Sequence, residues 1–247
     1  MQPNLRLVHF YPTLLNLYGD RGNIITLQHR CRWRGIDLQV HRVGLDEPQA
    51  LDDADIIFMG GDQDREQGVV VDDLRRHHLR EITRAIDRNV PILAVCGSYQ
   101  LFQRYYRPAV GPDLVGLGVF DAYTEHSGHD VERCVGNIVI DSAIGTIVGF
   151  ENHGGRTFLG SDTTPLGRVV EGHGNNGQDG TEGARVANVF GTYVHGSLLP
   201  KNPRFADMLL DLALRRRYDG HVLVPLDDAL EQKAHAVAVT RARELAR

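Results

Sequence analysis

The stretch NVPILAVCGSYQLFQRYY, from Asn89 to Tyr106, changes its hydrophobic pattern at a single cysteine. Six of the seven residues from Val90 to Cys96 are apolar, as expected for a strand buried on both faces of a parallel sheet. After Gly97 the apolar residues recur three and four positions apart as far as Tyr106, which is the spacing of one face of a helix. Cys96 is therefore predicted at a strand–turn–helix junction, where a tight turn can hold a nucleophile at the top of a sheet.

Apolar runs alternate with amphipathic segments in the residues that precede this junction. Short strands are predicted over residues 5–10, 36–43 and 56–59, and helices over residues 24–33 and 70–88. This order favours a parallel sheet with helices on both of its faces. We therefore expect the cysteine strand to be one of several parallel strands whose carboxyl ends meet at a common edge.

The second half of the chain has a different pattern. Strand-like runs over residues 137–140, 146–150, 168–170 and 186–194 are separated by glycine-rich turns, with no helical pattern between them. Antiparallel additions to the sheet are expected there, because short connections suffice for antiparallel strands. The glycine-rich residues 172–183 are predicted to form a flexible hairpin loop. Two helices, over residues 203–218 and 227–247, are predicted to close the chain.

The composition bounds the class of protein. The chain has 247 residues, 42% of them hydrophobic and 24% charged, enough for one large α/β domain or two small ones. A formal net charge of −5 argues against a dedicated nucleic-acid binder. No apolar run approaches the roughly 20 residues that cross a bilayer, and the opening residues do not resemble a signal peptide. Cys31, Cys96 and Cys134 are too scattered for a disulfide framework or a CxxC metal site, so reduced thiols in the cytosol are expected.

Cys96 is the candidate nucleophile. A cysteine in an apolar strand is more often a small buried hydrophobic residue, so the residue type alone favours a structural role. Its predicted place at the start of a helix changes this balance, because the unpaired N–H groups and the helix dipole stabilise a thiolate. Gly97 permits a sharp turn, and its N–H can point at an oxyanion formed on a bound carbonyl group.

The base that a cysteine nucleophile needs must be found among twelve histidines. His195 follows the apolar run NVFGTYV and precedes GSLLPKNP, so it is predicted at the end of a strand, like Cys96. A structural, hydrogen-bonded histidine is an equally good interpretation of that position. His153, in FENHGGRT, is the main competitor, whereas His77 and His78 lie in a charged helix.

Gly60 and Gly61 end a short apolar strand early in the chain. In a parallel sheet, that strand end lies beside the end of the Cys96 strand. The backbone N–H near Gly61 is therefore a candidate for the second half of an oxyanion hole, since glycine lets a ligand approach the backbone closely. A simple turn is the alternative interpretation of the two glycines.

Five motifs, spread over nearly the whole chain, carry a resemblance to a known family. They are LNLYGDRGN (Leu15–Asn23), GGDQDREQ (Gly60–Gln67), CGSYQ (Cys96–Gln100), GTIVGFENHGGRT (Gly145–Thr157) and GTYVHGSLLPKNP (Gly191–Pro203). The chain resembles the stand-alone GatD-type subunits of lipid II isoglutaminyl synthase, class I glutamine amidotransferases related to the amidotransferase domains of cobyric acid synthases. The resemblance implies an α/β fold whose central, mostly parallel sheet is flanked by helices, with antiparallel additions in the second half. It also implies one amidotransferase domain over residues 1–247, with the helices from about residue 203 packed on it.

The same resemblance implies a division of labour between two proteins. This chain would hydrolyse L-glutamine to glutamate and ammonia, without a cofactor or metal of its own. A MurT-type, Mur-ligase-like partner with ATP and Mg²⁺ would use the ammonia to amidate D-glutamate in the stem peptide of lipid II, a step of peptidoglycan synthesis. The complex would work in the cytoplasm, where lipid II brings it to the inner face of the membrane.

Two further site assignments follow from the resemblance. Arg133 matches the arginine that contacts substrate, and a guanidinium can grip the α-carboxylate of glutamine through two hydrogen bonds. Many class I amidotransferases have a glutamate two residues after the histidine, but Ser197 occupies that position here. The next carboxylate, Asp207, is predicted on a helix that faces elsewhere. The resemblance implies that the partner supplies the third member of the triad and completes the orientation of His195.

Three other functions stay open on the sequence. A cobyric-acid-type synthetase could receive the ammonia instead, although its amidotransferase domain usually shares a chain with the synthetase. A cysteine hydrolase of the protease or glyoxalase-like group usually carries a histidine directly after the cysteine, where this chain has Gly97. A non-catalytic, partner-binding subunit would not need both Cys96 and His195.

Overall fold

The secondary structure is that of a computed structural model, which describes residues 2–16, 19–61, 64–128, 131–195 and 198–245. The first half contains β1 (Asn4–Phe10), α1 (Arg21–Trp33), β2 (Asp37–Val43), β3 (Ile56–Met59), α2 (Asp64–Asp73), α3 (Leu79–Asp87), β4 (Ile92–Val95) and α4 (Gly97–Leu101). The second half contains β5 (Tyr105–Arg107), β6 (Leu114–Val115), β7 (Ala122–His126), β8 (Cys134–Ser142), β9 (Gly145–His153), β10 (Gly155–Leu159), β11 (Gly167–Glu171), β12 (Thr181–Glu182), β13 (Ala184–Val186), β14 (Val189–Thr192), α5 (Leu198–Lys201), α6 (Pro203–Arg217) and α7 (Ala229–Leu245). A π-helical turn, Leu74–His78, joins α2 to α3.

The central sheet has the strand order β13-β14-β4-β3-β1-β2. Every neighbouring pair is parallel except β13 with β14. All residues of β3 and β4 are buried, which explains why their sequences are continuous apolar runs rather than alternating ones. The predicted α/β fold with a mostly parallel central sheet is confirmed, and β4 lies between β3 and β14.

Two further four-stranded sheets, in the orders β10-β7-β5-β6 and β12-β11-β8-β9, contain most of the antiparallel strands. The antiparallel additions expected in the second half are confirmed; within the described residues, β13 joins the central sheet in this way and the other antiparallel strands form these two separate sheets. The predicted single strand over residues 186–194 is instead a hairpin, which turns at Ala187 with a φ of 50°. Its second strand, β14, is parallel to β4 and lies between β4 and the edge strand β13.

The helix predicted to continue from Gly97 to Tyr106 is wrong in its second half. α4 ends at Leu101, and Tyr105 and Tyr106 belong to β5. Tyr106 is buried, and the ring of Tyr105 stacks on that of Tyr123 with centroids 5.2 Å apart. Strand pairing with β6 and β7 therefore uses the same apolar residues that a helix would have buried, and tertiary contacts override the local spacing.

The C-terminal helices pack on different parts of the molecule. α6 contacts α1 and β3, and Asp207 on α6 binds the buried guanidinium of Arg30, with Asp207 Oδ2 2.6 Å from Arg30 Nη2. Asp207 also accepts a hydrogen bond from Arg34, so it faces away from the central strand ends as predicted. α7 covers Val148 and the rest of a small cluster on β8 and β9. Within the described ranges, no helix has both the length and the apolar character needed to cross a bilayer.

Candidate active site

Cys96 occupies the turn between β4 and α4 with a backbone conformation that side chains rarely adopt. Its φ is 54° and its ψ is −111°, and its side chain is only 7% exposed. The Cys96 N–H donates to the Thr192 carbonyl at 2.8 Å, which ties the turn to the end of β14. Gly97 follows directly as the first residue of α4. A strained residue at a strand–helix turn is typical of a nucleophile elbow. Such backbone strain costs free energy and is found mainly at functional sites, where the surrounding structure holds it in place.

Hydrogen bonds from three directions hold the helix that follows the cysteine. The Ser98 hydroxyl donates to the Gly60 carbonyl at the end of β3. The side-chain amide of Gln100 accepts from Gln67 Nε2 at 2.7 Å and donates to the Tyr193 hydroxyl at 3.0 Å. The turn is therefore fixed by β3, α2 and the end of β14 together, and its shape does not depend on the five-residue helix alone.

His195 lies just beyond β14, at the same edge of the sheet as Cys96. Its backbone is bridged to Phe150 on β9, with the His195 N–H donating to the Phe150 carbonyl at 2.8 Å. Thr192, the residue that accepts the Cys96 N–H, precedes it by three positions, a span of at most about 11 Å. Burial, with smaller effects of His153 and Lys201, lowers the pKa of His195 from 6.5 to about 4. The imidazole is therefore neutral at pH 7, the state that a general base requires.

Gly61 packs directly against the candidate nucleophile. A Cβ on Gly61 would lie 3.0 Å from Cys96 Cβ and 3.8 Å from Cys96 Sγ, so no side chain fits there. The Gly61 N–H, however, donates to Asp20 Oδ2 at 2.6 Å. In this arrangement the candidate oxyanion donor is held by a buried carboxyl group beside Cys96, and a bound oxyanion would have to share or replace that bond.

Asp20 is a buried acid that the sequence did not single out. It is 1% exposed, and among the described residues its hydrogen bonds come from the Gly61 N–H and, at 3.5 Å, from Asn23 Nδ2. Burial raises the pKa of Asp20 from 3.8 to about 7, although the Gly61 hydrogen bond acts in the opposite direction. At neutral pH the protonated and the ionised forms of this carboxyl group, which lies next to the cysteine, are therefore both populated.

The Asp20→Asn variant is expected to change the pH dependence of stability. Because the folded-state pKa of Asp20 lies above the unfolded one, its contribution to stability is complete below about pH 4 and is lost as the pH rises towards 7. The loss amounts to at most about 4 kcal/mol, and asparagine cannot undergo it. The free energy of unfolding, measured by denaturant titration between pH 4 and pH 8, should therefore fall with pH in the wild type relative to Asp20→Asn. Parallel curves for the two proteins would contradict the raised pKa, and the exposed Asp219→Asn serves as the matched control.

Arg133 immediately precedes β8 and is held by Asn152 on the neighbouring strand. Arg133 Nε and Nη2 donate to Asn152 Oδ1 at 3.1 and 3.0 Å. Its Nη1 lies beside Gly154, where an added Cβ would be 3.1 Å away. On the other side of this turn, a Cβ on Gly155 would be 2.8 Å from Gln100 Nε2 in the helix that follows Cys96. Arg133 is exposed, and Gly154 and Gly155 lie between its Nη1 and Gln100 of α4.

His153, the competitor of His195, is used within the structure. Its ring stacks on that of Tyr193 with centroids 3.7 Å apart, and its Nδ1 is 2.8 Å from the Gly155 carbonyl. Its Nε2 lies 3.6 Å from Glu151 Oε2, and Glu151 in turn accepts two backbone N–H bonds from the 172–183 loop. The contacts of His153 are thus within the structure, while His195 follows β14, the strand that pairs with the Cys96 strand.

Glu182 is a second buried carboxyl group that sequence reasoning missed. It accepts the Thr192 hydroxyl at 3.0 Å and the Tyr193 N–H at 2.7 Å, so it holds the segment between the Cys96 contact and His195. Burial raises its pKa from 4.5 to about 8, against the effect of these hydrogen bonds. Its sequence context, GTEGAR, lies in a glycine-rich region and contains no signal of burial.

Comparison with known proteins identifies the family. Residues 6–203 match the CobB/CobQ-like glutamine amidotransferase domain. The chain belongs to the CobB/CobQ-like glutamine amidotransferases. It is 41% identical over 239 residues to the lipid II isoglutaminyl synthase (glutamine-hydrolyzing) subunit GatD of Staphylococcus aureus, covering 96% of both chains. It is 39% identical over 232 residues to the subunit of the same name in Streptococcus pneumoniae, covering 93% of this chain and 88% of that protein.

This amidotransferase also shares its fold with a solved structure of low sequence identity. A crystal structure of a glutamine amidotransferase superposes with a TM-score of 0.57 at 15% identity, covering 83% of this chain and 98% of that one. The two GatD relatives, at 41% and 39% identity, confirm the resemblance to GatD-type subunits that was predicted from five motifs. Ser197, the position where many class I amidotransferases have a glutamate, lies outside the described residues.

Proposed function

We propose that this amidotransferase is a glutaminase subunit that hydrolyses L-glutamine and passes ammonia to a separate ATP-dependent ligase. The observation that carries the proposal is the strained Cys96 turn, hydrogen-bonded to β14 three residues before His195. A buried structural cysteine would not need this conformation. Two relatives that cover nearly the whole chain are named as glutamine-hydrolysing subunits, which supports the same reaction here.

The reaction proceeds in two halves. The Cys96 thiolate attacks the side-chain amide carbon of glutamine, and the carbonyl oxygen becomes an oxyanion. The N–H groups at Gly97 and Gly61 are the donors for that oxygen, with Gly61 released from Asp20. One such donor typically lowers the barrier by about 3 kcal/mol. His195 carries the proton taken from the thiol to the leaving nitrogen, so the C–N bond breaks and ammonia departs.

The second half regenerates the enzyme. The γ-glutamyl group is now a thioester on Cys96, and neutral His195 takes a proton from water as the water attacks the carbonyl carbon. Collapse of this tetrahedral intermediate breaks the C–S bond and releases glutamate. Protonated His195 gives its proton to the departing Cys96 sulfur, which restores the thiol and the neutral imidazole, and the net reaction is glutamine plus water to glutamate plus ammonia.

The acceptor of the ammonia is proposed from the relatives. The GatD proteins are named as subunits of lipid II isoglutaminyl synthase, so we assign this chain a Mur-ligase-like, MurT-type partner that binds ATP and Mg²⁺ and amidates D-glutamate in lipid II. No cofactor is assigned to this chain. Because lipid II is a membrane lipid, the complex would act in the cytoplasm at the inner membrane face.

The proposed function is tested by reconstitution. The chain is co-expressed with a Mur-ligase-like protein of the same organism, and ammonia release and glutamine-dependent amidation of a lipid-linked muropeptide are measured. We expect both activities in the complex and a much slower glutaminase in the chain alone, since the partner is proposed to complete the orientation of His195. Equal glutaminase rates with and without the partner would refute the partner-completed triad. Absence of glutaminase activity in both would refute the enzyme function itself.

Replacing Arg133 with alanine is expected to weaken glutamine binding. Loss of a charge-assisted pair with the α-carboxylate costs about 1.5–3 kcal/mol, which corresponds to a rise in KM of about 10- to 150-fold with a smaller change in kcat. The measurement is the glutamine dependence of ammonia release. Arg168→Ala, which removes an exposed arginine from β11, is the control and should leave KM unchanged. An unchanged KM in Arg133→Ala would contradict the carboxylate role.

A further inference from the structure

A cavity lies between α1 and the face of β1 and β2, and neither Cys96 nor His195 lines it. Its volume is about 290 Å³, and it is lined by residues of α1, of both strands and of the segment between β1 and α1. His9 pairs with Arg42 in the parallel register of β1 and β2, so both side chains project from the same face of the sheet into this space. In the sheet, β3 lies between β1 and β4, so His9 and Arg42 are not on strands adjacent to the Cys96 strand.

The charged side chains that line the cavity are all positive. Arg21 on α1 and Arg42 on β2 both line it, and no aspartate or glutamate does. In the described parts of the chain, neither guanidinium makes a hydrogen bond or ion pair, whereas Arg30 and Arg34 beside α6 are paired with Asp207. In a chain with a net charge of −5, two uncompensated arginines at the mouth of one cavity produce a local positive potential.

His9 adds a buried polar group to the cavity wall. It is 4% exposed, and its Nε2 has no hydrogen-bond partner among the residues that the structure describes. Burial, and secondly the charge of Arg42, lowers the pKa of His9 from 6.5 to about 4, so the imidazole is neutral at pH 7. A buried imidazole nitrogen without a partner costs free energy, which a ligand or a water held between the arginines would recover.

The start of α1 contributes to the same potential. The helix has no acidic residue in its first turn, and the N-terminal Asp20 makes no side-chain cap. The carboxylate of Asp20 is instead directed to the Gly61 N–H at the glutamine site. The Arg21 N–H at this end donates to Asn16 Oδ1 at 3.0 Å, and this partner is neutral, so the positive end of the helix dipole still attracts an anion.

We propose that this cavity is a binding site for a small anion of the phosphate or carboxylate class, gripped by Arg21 and Arg42 with His9 at its wall. Guanidinium groups suit these anions because their N–H pairs match two oxygens at once. The remaining wall is formed by the polar side chains of Thr13, Asn16 and Gln28 and by apolar ones, and the volume of about 290 Å³ suits a compact anion. The site goes beyond glutamine hydrolysis, in which none of these residues takes part.

The proposal is tested by ligand-induced stabilisation of the full chain. Inorganic phosphate and succinate are titrated separately at constant ionic strength, and the thermal midpoint is followed. We expect a saturable rise with at least one of the two probes, and the probe that saturates identifies the class of anion. Arg42→Gln and Arg21→Gln should each weaken the apparent affinity by about tenfold or more. Arg32→Gln, which removes an exposed arginine of the same helix that does not line the cavity, should leave it unchanged.

Two results would overturn the anion site. One is a rise that does not saturate with either probe. The other is a saturable rise of equal size and affinity in the wild type and Arg42→Gln, which would place the binding elsewhere. Arg21 and Arg42 are exposed, so the variants are expected to fold, and circular dichroism checks this. Glutaminase activity of Arg42→Gln with the partner should equal that of the wild type, so failure of the anion site and failure of the glutaminase assignment give different results.

Discussion

Replacing Cys96 with alanine is expected to lower glutamine turnover by about 10,000-fold or more while the fold persists. Without the sulfur no thioester can form, and the remaining groups can only bind glutamine and polarise its amide. Alanine retains the Cβ, so the strained backbone at this turn is unchanged, and the unfolding free energy should shift by about 1 kcal/mol. Ammonia release by the complex and circular dichroism of the variant are the two measurements.

The matched control for this substitution is Cys31→Ala. Cys31 is a fully buried cysteine on α1, remote from the Cys96 turn, so the same chemical change there should reduce stability without changing kcat per folded molecule. Near-wild-type turnover in Cys96→Ala would show that another group is the nucleophile. A covalent adduct formed with a glutamine-like chloroketone in the wild type and in Cys31→Ala, but not in Cys96→Ala, would locate the reactive sulfur independently.

Replacing His195 with glutamine is expected to lower turnover by about 100- to 10,000-fold, the usual contribution of a general acid–base group. Glutamine can fill part of the space and form hydrogen bonds, but it cannot move a proton between sulfur, nitrogen and water. Because the pKa of His195 is lowered to about 4, its protonation should not limit kcat/KM between pH 5 and pH 7 in the wild type. The pH dependence of kcat/KM for the two proteins is the measurement.

His173→Gln is the control for this prediction. His173 is an exposed histidine of the 172–183 loop, and its backbone rather than its ring contacts Glu151. Its substitution should leave both kcat and the pH profile unchanged. If His195→Gln kept full activity, or if the wild type lost activity with an apparent pKa near 6.5 that His195→Gln abolished, the assignment of a neutral, buried base would be wrong.

The two ionisable groups that hold the site were not predictable from the sequence. Asp20 stands in a motif, LYGDRGN, whose polarity suggests an exposed turn, yet its carboxyl group is buried against Gly61, which is 41 residues away in the chain. Glu182 stands between glycines and is buried under the end of β14. Whether a charged residue is buried depends on which distant segment packs over it, and the residues around it in the sequence do not indicate that segment.

The error in the residues after α4 has the same origin. The apolar spacing that predicts a helix as far as Tyr106 is equally compatible with burial of Tyr106 in a strand. Residues 105–107 form a strand because they pair with β6 and β7. The local apolar spacing contains no information about these pairing partners. Similarly, β14 pairs in parallel with β4, a strand much earlier in the chain, and the hairpin-like turns around β14 in the sequence do not indicate that partner.

The sequence by itself determined the buried strand that ends at Cys96, the alternation of strands and helices that makes the central sheet mostly parallel, and the family. Each of these can be predicted from residues that are neighbours in the chain. Only the tertiary structure decided what surrounds the thiol: the β14 segment that ends before His195, the acid that holds the Gly61 amide, and the acid beneath Tyr193. These contacts join segments tens of residues apart, and their energies exist only once the fold has excluded water from between them.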